Sequence, residues 1–404
     1  MTDSVRAQYE ALPYPARDPA DEKRRLITGS PSFLPELNHY VFGGRRDFAQ
    51  PFRALVAGGG TGDNLIQLAQ YLAASGGRHE VVYVDLSAAA RGIAEARAKI
   101  RGLNNIRFIT GSLLDIASLV PGPYDYIDCC GVLHHLPDPA AGLAALTAQL
   151  GPAGGIGLMV YGCYGRAGVY PLQDALRQLT GGEDAAQKIA LARSLLAELP
   201  EGNEFRRNPF VGDHTTGDAG LFDLLLHSQD RAYTVPELYE LIDGAGLAVS
   251  AWIEACRYDP LNYLKDAELR RRAAALPASE QAALAERLSG AMKTHVVYAV
   301  PPMRLSEAVA QPAPELVPWL NGIPSRALAE TFARRGELAA NFHTERFVFP
   351  APPRAPEIAA LMDGRRSLSD IAQALNLRWA DFAPLYAPLH RLLTGINKLY
   401  LRQY

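Results

Sequence analysis

The stretch ALVAGGGTGDN, residues 54–64, decides how this chain is read. Leu55, Val56 and Ala57 form a short apolar run. It enters three glycines, then Thr61, Gly62 and Asp63, before the periodic run LIQLAQYL begins. A buried strand feeding a glycine-rich turn and then a helix is how α/β folds receive a ligand of nucleotide size. Glycine permits positive φ in such a turn and lets the backbone approach the ligand with no Cβ between them. A glycine turn alone is a weak signal, so the flanking chain has to specify it.

Working outward, apolar runs alternate with amphipathic ones. RALVAG (53–58), HEVVYVD (79–85), IRFITG (106–111), YDYIDCCG (124–131) and IGLMVYG (156–162) read as strands. The helices between them include 63–76, ended by Gly76 and Gly77, and 87–102, opened by Ser87 as N-cap. Alternation of this kind implies right-handed crossovers and a mainly parallel sheet. The alternation stops over about 165–232, which reads as a helical insertion. A helix ended at Gly244 to Gly246, a sixth strand, and a seventh at 292–300 restore it. The predicted fold is a seven-stranded, mainly parallel Rossmann-like α/β sheet at 51–300, with helices on both faces. Residues 1–50 are expected to be an arm or lid with aromatic anchors. Pro301 and Pro302 open a small, winged-helix-like accessory domain over 301–404.

Composition narrows the function. With 404 residues, a net charge of −3 and 48% hydrophobic content, the chain is an ordinary soluble type. It offers no electrostatic reason to bind nucleic acid or an anionic membrane. The segment from residue 301 carries twelve Lys/Arg against nine Asp/Glu, too weak a bias for a duplex-binding face. Cys129, Cys130, Cys163 and Cys256 form no ligand set and no disulfide framework. No run approaches a membrane span, and no apolar leader opens the chain. A cytoplasmic protein is expected.

The dinucleotide fingerprint G-x-G-x-x-G fails here, because Asp63 stands where the third glycine belongs. The spacing present is Gly58, Gly60, Gly62, and a carboxylate at the turn is a poor neighbour for a pyrophosphate. Four stretches, LVAGGGTGDN, YVDLS, ITGSLLD and IDCCGVLHHLPDP, together resemble the class I S-adenosylmethionine-dependent methyltransferases across 51–300. The resemblance is nearest to a bacterial branch with AGCGTG-like and GVLHHL-like motifs.

The resemblance implies a set of roles. Gly58, Gly60 and Gly62 would cradle the methionine and ribose portion of the cofactor. Asp85, 23 residues after Gly62, would accept both ribose hydroxyls. Leu86 would lie on the adenine face, with Ser112 and Leu113 at its edge. Cys130 or Gly131 would offer a carbonyl to the ammonium. The family often has an acid at the position of Val56, so Asp63 or Asp128 is expected to take that charge. It also often has Asp where Ser112 stands.

His134 and His135 are the candidate catalytic residues, since imidazole suits proton transfer near neutral pH. No metal is expected, because adjacent histidines point apart and no third ligand is placed. Tyr9 and Tyr14 from the arm, with Tyr161, Tyr164 and Arg166 after the fifth strand, are the candidate substrate residues. Asp223 and His227, at i and i+4, could bind a polar substrate, with an internal salt-bridged helical face the favoured reading. The expected acceptor is a small molecule or a peptide or protein, with nucleic acid disfavoured and a homodimer possible. Two other classes stay open: an NAD-dependent oxidoreductase, and a non-catalytic cofactor-binding protein acting through its C-terminal domain.

Overall fold

β1 (Phe52–Ala57) is the centre of the sheet, and its residues explain why. Ala54, Leu55, Val56 and Ala57 are all at most 1% exposed, as a strand covered on both faces requires. Alternate residues serve opposite sides. Leu55 and Ala57 pack with Val82 and Val84 in one core, while Ala54 and Val56 pack with Val81 and Tyr83 in another. The structure is a computed structural model that describes residues 3–343 and 345–403.

The remaining strands are β2 (His79–Asp85), β3 (Ile106–Thr110), β4 (Tyr124–Cys130), β5 (Leu150–Tyr161), β6 (Ala248–Trp252) and β7 (Thr294–Val300). Their order is β3-β2-β1-β4-β5-β7-β6. Pairing is parallel from β3 to β5, and β7 runs antiparallel to both β5 and β6. All seven predicted strands are present. β5 starts earlier than predicted, because its glycine-rich lead-in looked like a helix stop; a register shift in its pairing with β4 accommodates it. The chain reverses direction across the sheet between β1's two neighbours, β2 and β4. In open α/β sheets that is where the carboxyl ends of the strands leave a crevice.

Three further segments surround this sheet. The arm runs as the helix Asp3–Ala11, then a 3₁₀ turn at Pro19–Lys23, across the carboxyl ends of β1 and β2. The insertion after β5 contains the helices Val169–Leu179 and Ala185–Glu198 and has its own small apolar core around Leu172, Leu176 and Leu224. From about residue 310 a separate core gathers Phe332, Ile358, Ile371, Phe382, Tyr386 and Leu393. There β8 (Val317–Leu320) pairs antiparallel with β11 (Leu399–Arg402), and β9 (Glu337–Phe342) with β10 (Glu345–Pro350). The helices there include Leu368–Ala374, capped by Ser367, and the long Trp379–Gly395. β8, the β9–β10 hairpin and the helix Ser325–Arg335 had no counterpart in the sequence reading.

Glu36 ties the last segment to the sheet. Its side chain is buried and accepts from Ser30 Oγ (2.7 Å), Tyr298 Oη of β7 (2.9 Å), Asn397 Nδ2 (2.7 Å) and Tyr400 Oη of β11 (3.0 Å). Four donors satisfy a carboxylate that would otherwise be costly to bury.

Candidate active site

The glycine turn opens into a cavity of about 380 Å³ above β1, β2 and β4. Gly58 and Gly60 have φ of +74° and +51°, and a Cβ on Gly58 would sit 2.4 Å from Val132 Cγ2. A side chain therefore fits at Gly58 neither by conformation nor by space. Gly62 differs. It opens the helix Asp63–Ala74 at φ +101°, and a Cβ there would lie 3.0 Å from Ala94, so it serves helix packing and does not line the cavity.

Two carboxylates flank the turn from the neighbouring strands. Asp85, at the end of β2, accepts from Gly60 N and Ser87 N, both at 2.8 Å, one on each oxygen. Burial raises its pKa, and these backbone donors pull it partly back. Asp128 lies on β4 in register with Val56 of β1. The acid absent from β1 is thus supplied one strand over. Asp128 is 2% exposed and accepts from Ser32 Oγ (2.6 Å) and Asn64 Nδ2 (3.0 Å). Burial pushes its pKa up to about 7 against the pull of those donors. A carboxylate so desolvated favours a cationic neighbour.

Asp63 is engaged elsewhere. Arg17 of the arm holds it with Nε and Nη2 (2.6 Å at closest), and Arg97 Nη1 adds a contact at 2.7 Å. Burial acts to raise its pKa, but the two guanidinium groups outweigh it and hold the carboxyl below the usual range. Of the two acids expected to take the ammonium charge, Asp128 is the one without a positive partner among the described residues. Arg97, 1% exposed, also pairs with Glu22 at 2.7 Å, so one buried guanidinium joins the arm's 3₁₀ turn to the glycine turn.

The arm roofs the cavity with Tyr9, Tyr14, Pro15 and Arg17. It is fastened by Thr61 Oγ1 donating to Pro15 O (2.7 Å) and by Glu10 capping the helix Ala88–Ile100 through Ala88 N and Ala89 N. Leu86, Leu113, Cys130 and Gly131 line the cavity, together with Gly59, Gly111 and Met159. Ser112 does not line it: its hydroxyl turns back to cap Leu114 N at 3.1 Å.

At the far side stand Tyr9, Tyr14, Tyr161, His135 and Asp223. Tyr9 Oη donates to Asp223 Oδ1 and Tyr161 Oη to Oδ2, each at 3.0 Å. Tyr9 Oη also lies 3.1 Å from His227 Nε2. Asp223 sits in a π-helical turn, Phe222–Leu226, and His227 just beyond it. Such turns re-aim side chains at functional sites. The expected salt-bridged face is therefore corrected: among the described residues neither Asp223 nor His227 makes an ion pair, and both face the arm. The acid that is ion-paired is Asp230, to Arg166 Nη2 at 2.9 Å.

The two adjacent histidines diverge. His135 donates Nδ1–H to Gln229 O (3.0 Å) and lines the cavity. His134 is 1% exposed, stacks on Tyr161 with ring centroids 3.8 Å apart, and lies outside the lining. Burial holds its pKa far below the ordinary value. Arg166 also stands behind the wall, its guanidinium 3.7 Å from the Tyr161 ring centre, and Tyr164 is outside it as well. His135, Asp223 and His227 have ligating atoms within 4.8 Å of one another, so a third group does stand near the histidines. His227 is nevertheless arranged against a metal. Its Nδ1 accepts from Gln229 N (3.0 Å), which leaves the proton on Nε2, toward Tyr9.

Sheet order, the crevice at the carboxyl ends and a roofed cavity with an acid on each side of a glycine turn define a methyltransferase fold. Residues 55–156 match the family model described as a methyltransferase domain. Among solved structures, PKMT2 from Rickettsia typhi in complex with AdoHcy aligns with a TM-score of 0.60 at 15% identity. The alignment covers 92% of this chain and 76% of that one, so the shared fold takes in the C-terminal segment. An uncharacterized protein of Synechococcus sp. is 32% identical over 271 residues, 64% of this chain and 62% of its own length. A tRNA 5-carboxymethoxyuridine methyltransferase of Escherichia coli K12 is 35% identical over 117 residues, 29% of this chain and 42% of its own length. The chain thus spans less than two thirds of each of these curated relatives. S-adenosylmethionine fits the cavity. Asp85 can receive ribose hydroxyls, Asp128 a cationic amino group, and no Cβ crowds the turn at Gly58.

Proposed function

We propose that this protein is an S-adenosylmethionine-dependent methyltransferase acting on a nitrogen or oxygen nucleophile of a small-molecule, peptide or protein acceptor. The observation that carries the reading is the pair Asp85 and Asp128, one on each side of the glycine turn in a single roofed cavity. Asp85 orients the ribose, Gly58 and Gly60 admit the backbone to close contact, and Asp128 with Asn64 holds the amino-acid end. S-adenosylmethionine, when bound, supplies a methyl group that is displaced in line from sulfur. The chain's own work is to align the nucleophile, exclude water beneath the arm and receive a proton at His135 where the nucleophile arrives protonated. His134 is a positioning residue behind Tyr161.

The same reading divides the chain into an arm at 1–50, a catalytic domain at 51–300 and an accessory domain at 301–404. It places the protein in the cytoplasm, in keeping with four free cysteines, and admits a homodimer. Among the described residues no helix is long and apolar enough to cross a membrane. The Escherichia coli relative is named for a tRNA substrate, but the match covers 117 residues, and the net charge of −3 gives no support for a nucleic-acid acceptor.

Thermal shift with S-adenosylhomocysteine and with NAD tests the reading. Stabilisation by S-adenosylhomocysteine alone, lost in Asp85→Ala, is expected. Stabilisation by NAD alone would replace this reading with an oxidoreductase.

A further inference from the structure

Asp223 is 3% exposed and lines the cavity, yet among the described residues it makes no ion pair. Its hydrogen-bond donors are neutral, the hydroxyls of Tyr9 and Tyr161, one to each oxygen, and the imidazole of His135 is the chargeable group that faces it. Each oxygen keeps a further lone pair. The nearby Arg166 is committed to Asp230, so it does not serve as counter-ion. Burial raises the pKa of this carboxyl, and a cation reaching it through the cavity would hold it ionised.

The surroundings state what kind of cation. Tyr9 and Tyr14 line the same space, and aromatic rings attract organic ammonium groups; Tyr161 contributes its hydroxyl, its ring being taken by His134 and Arg166. A metal ion is opposed by His227, whose Nδ1 accepts from Gln229 N and whose Nε2 proton is directed at Tyr9. His135 has the opposite tautomer. Its Nδ1–H is given to Gln229 O, so Nε2 carries the free lone pair, and Nε2 makes no hydrogen bond among the described residues.

Resting on the methyltransferase reading, we propose that Asp223 and the three tyrosines form a subsite for a primary ammonium group, and that its nitrogen is the methyl acceptor. The ammonium enters charged and is held by Asp223. One N–H proton passes to His135 Nε2, which exposes the nitrogen lone pair. That pair forms the new N–C bond as the methyl carbon's bond to sulfur breaks, and the electrons of the broken bond remain on sulfur. The methylated ammonium leaves with its charge restored, and His135 returns its proton to solvent. Carboxylate and phosphate acceptors are excluded from the subsite by the charge of Asp223.

The test uses the full-length protein in two measurements. S-adenosylhomocysteine binding by calorimetry checks the cofactor site by itself. Transfer of labelled methyl groups is then followed into an extract of the source cells. One portion is untreated, and in the other the primary amines have been acetylated with N-hydroxysuccinimidyl acetate. Acetylation is expected to cut incorporation at least tenfold. Asp223→Asn, folded by thermal melt, is expected to bind S-adenosylhomocysteine within about twofold of wild type while losing incorporation at least tenfold. The inference is overturned if incorporation survives acetylation, if Asp223→Asn transfers normally, or if a protein that binds S-adenosylhomocysteine labels nothing in the untreated extract. Failure to bind S-adenosylhomocysteine would instead remove the methyltransferase reading beneath it. The acetylation arm needs no variant, so misfolding of Asp223→Asn does not shield the proposal.

Discussion

Tyr9 Oη and Asp223 Oδ1 lie 3.0 Å apart, a contact that joins the N-terminal arm to the insertion across 214 positions of sequence. Roof and acceptor wall are one hydrogen-bonded unit. Tyr9→Phe removes the hydroxyl and leaves Asp223 with one donor fewer. The expected cost to stability is about 1 kcal/mol, with turnover falling about tenfold or more. Chemical melts with a methyl-transfer assay check this. Unchanged turnover would show that the arm only covers the site.

Arg17 holds the arm to Asp63 at a partly exposed position, 30% and 24% by side chain. Screening limits the pair to about 1 kcal/mol or less. The effect of Arg17→Ala should therefore appear in dynamics more than in stability. S-adenosylhomocysteine should leave about three- to tenfold faster, and protease should reach residues 12–25 sooner. Stopped-flow displacement and limited proteolysis measure both, and an unchanged off-rate would mean that the cofactor escapes by another route.

Asp128 gives a pH signature. Its pKa is near 7 in the folded, ligand-free protein, against about 3.9 unfolded. The native state therefore holds an extra proton between these values. This group's contribution to stability is complete below pH 4 and is lost as pH rises through 7. An ammonium beside it requires the ionised form, so affinity for S-adenosylhomocysteine should weaken below pH 7, approaching tenfold per unit. Asp128→Asn should bind more weakly and flatten the profile. Calorimetry at pH 5.5 to 8 checks this, and a wild-type profile already flat would remove Asp128 from the cofactor's amino end.

The adjacent histidines should separate cleanly. His135→Ala is expected to leave S-adenosylhomocysteine binding within a few-fold and to lower turnover at least tenfold. His134→Ala empties a buried site stacked on Tyr161 and should cost about 2–4 kcal/mol of stability. A turnover loss confined to the His134 variant would reverse the assignment.

The sheet was legible because its strands are apolar runs bounded by glycine and acids, as at 79–85, and because Ser87 is a strong helix cap. The glycine turn was legible as the mouth of a cavity, and Gly58, Gly60 and Asp85 line it while Gly62 and Ser112 do not. Asp223 was not legible there. Reading it at i and i+4 with His227 assumed a 3.6-residue period, and the π-helical turn breaks that period. Its partner Tyr9 is far away in sequence, and no local rule joins the two. Ser112 was misplaced for a local reason: a short side chain at the head of a 3₁₀ turn meets its own backbone first. In the C-terminal segment, β8 is four residues long and contains Pro318, and β9 is alanine-rich, so neither carries a strand signal.

Glu36 has a consequence for how the chain comes into being at the ribosome. Two of its four donors, Asn397 and Tyr400, lie 361 and 364 residues downstream of it. Until that segment is made and docks, the sheet carries a buried acid with only Ser30 and Tyr298 to satisfy it. At the ribosome the sheet is therefore sealed only after residue 400 has emerged, and a fragment that stops short of residue 397 keeps this acid half-satisfied.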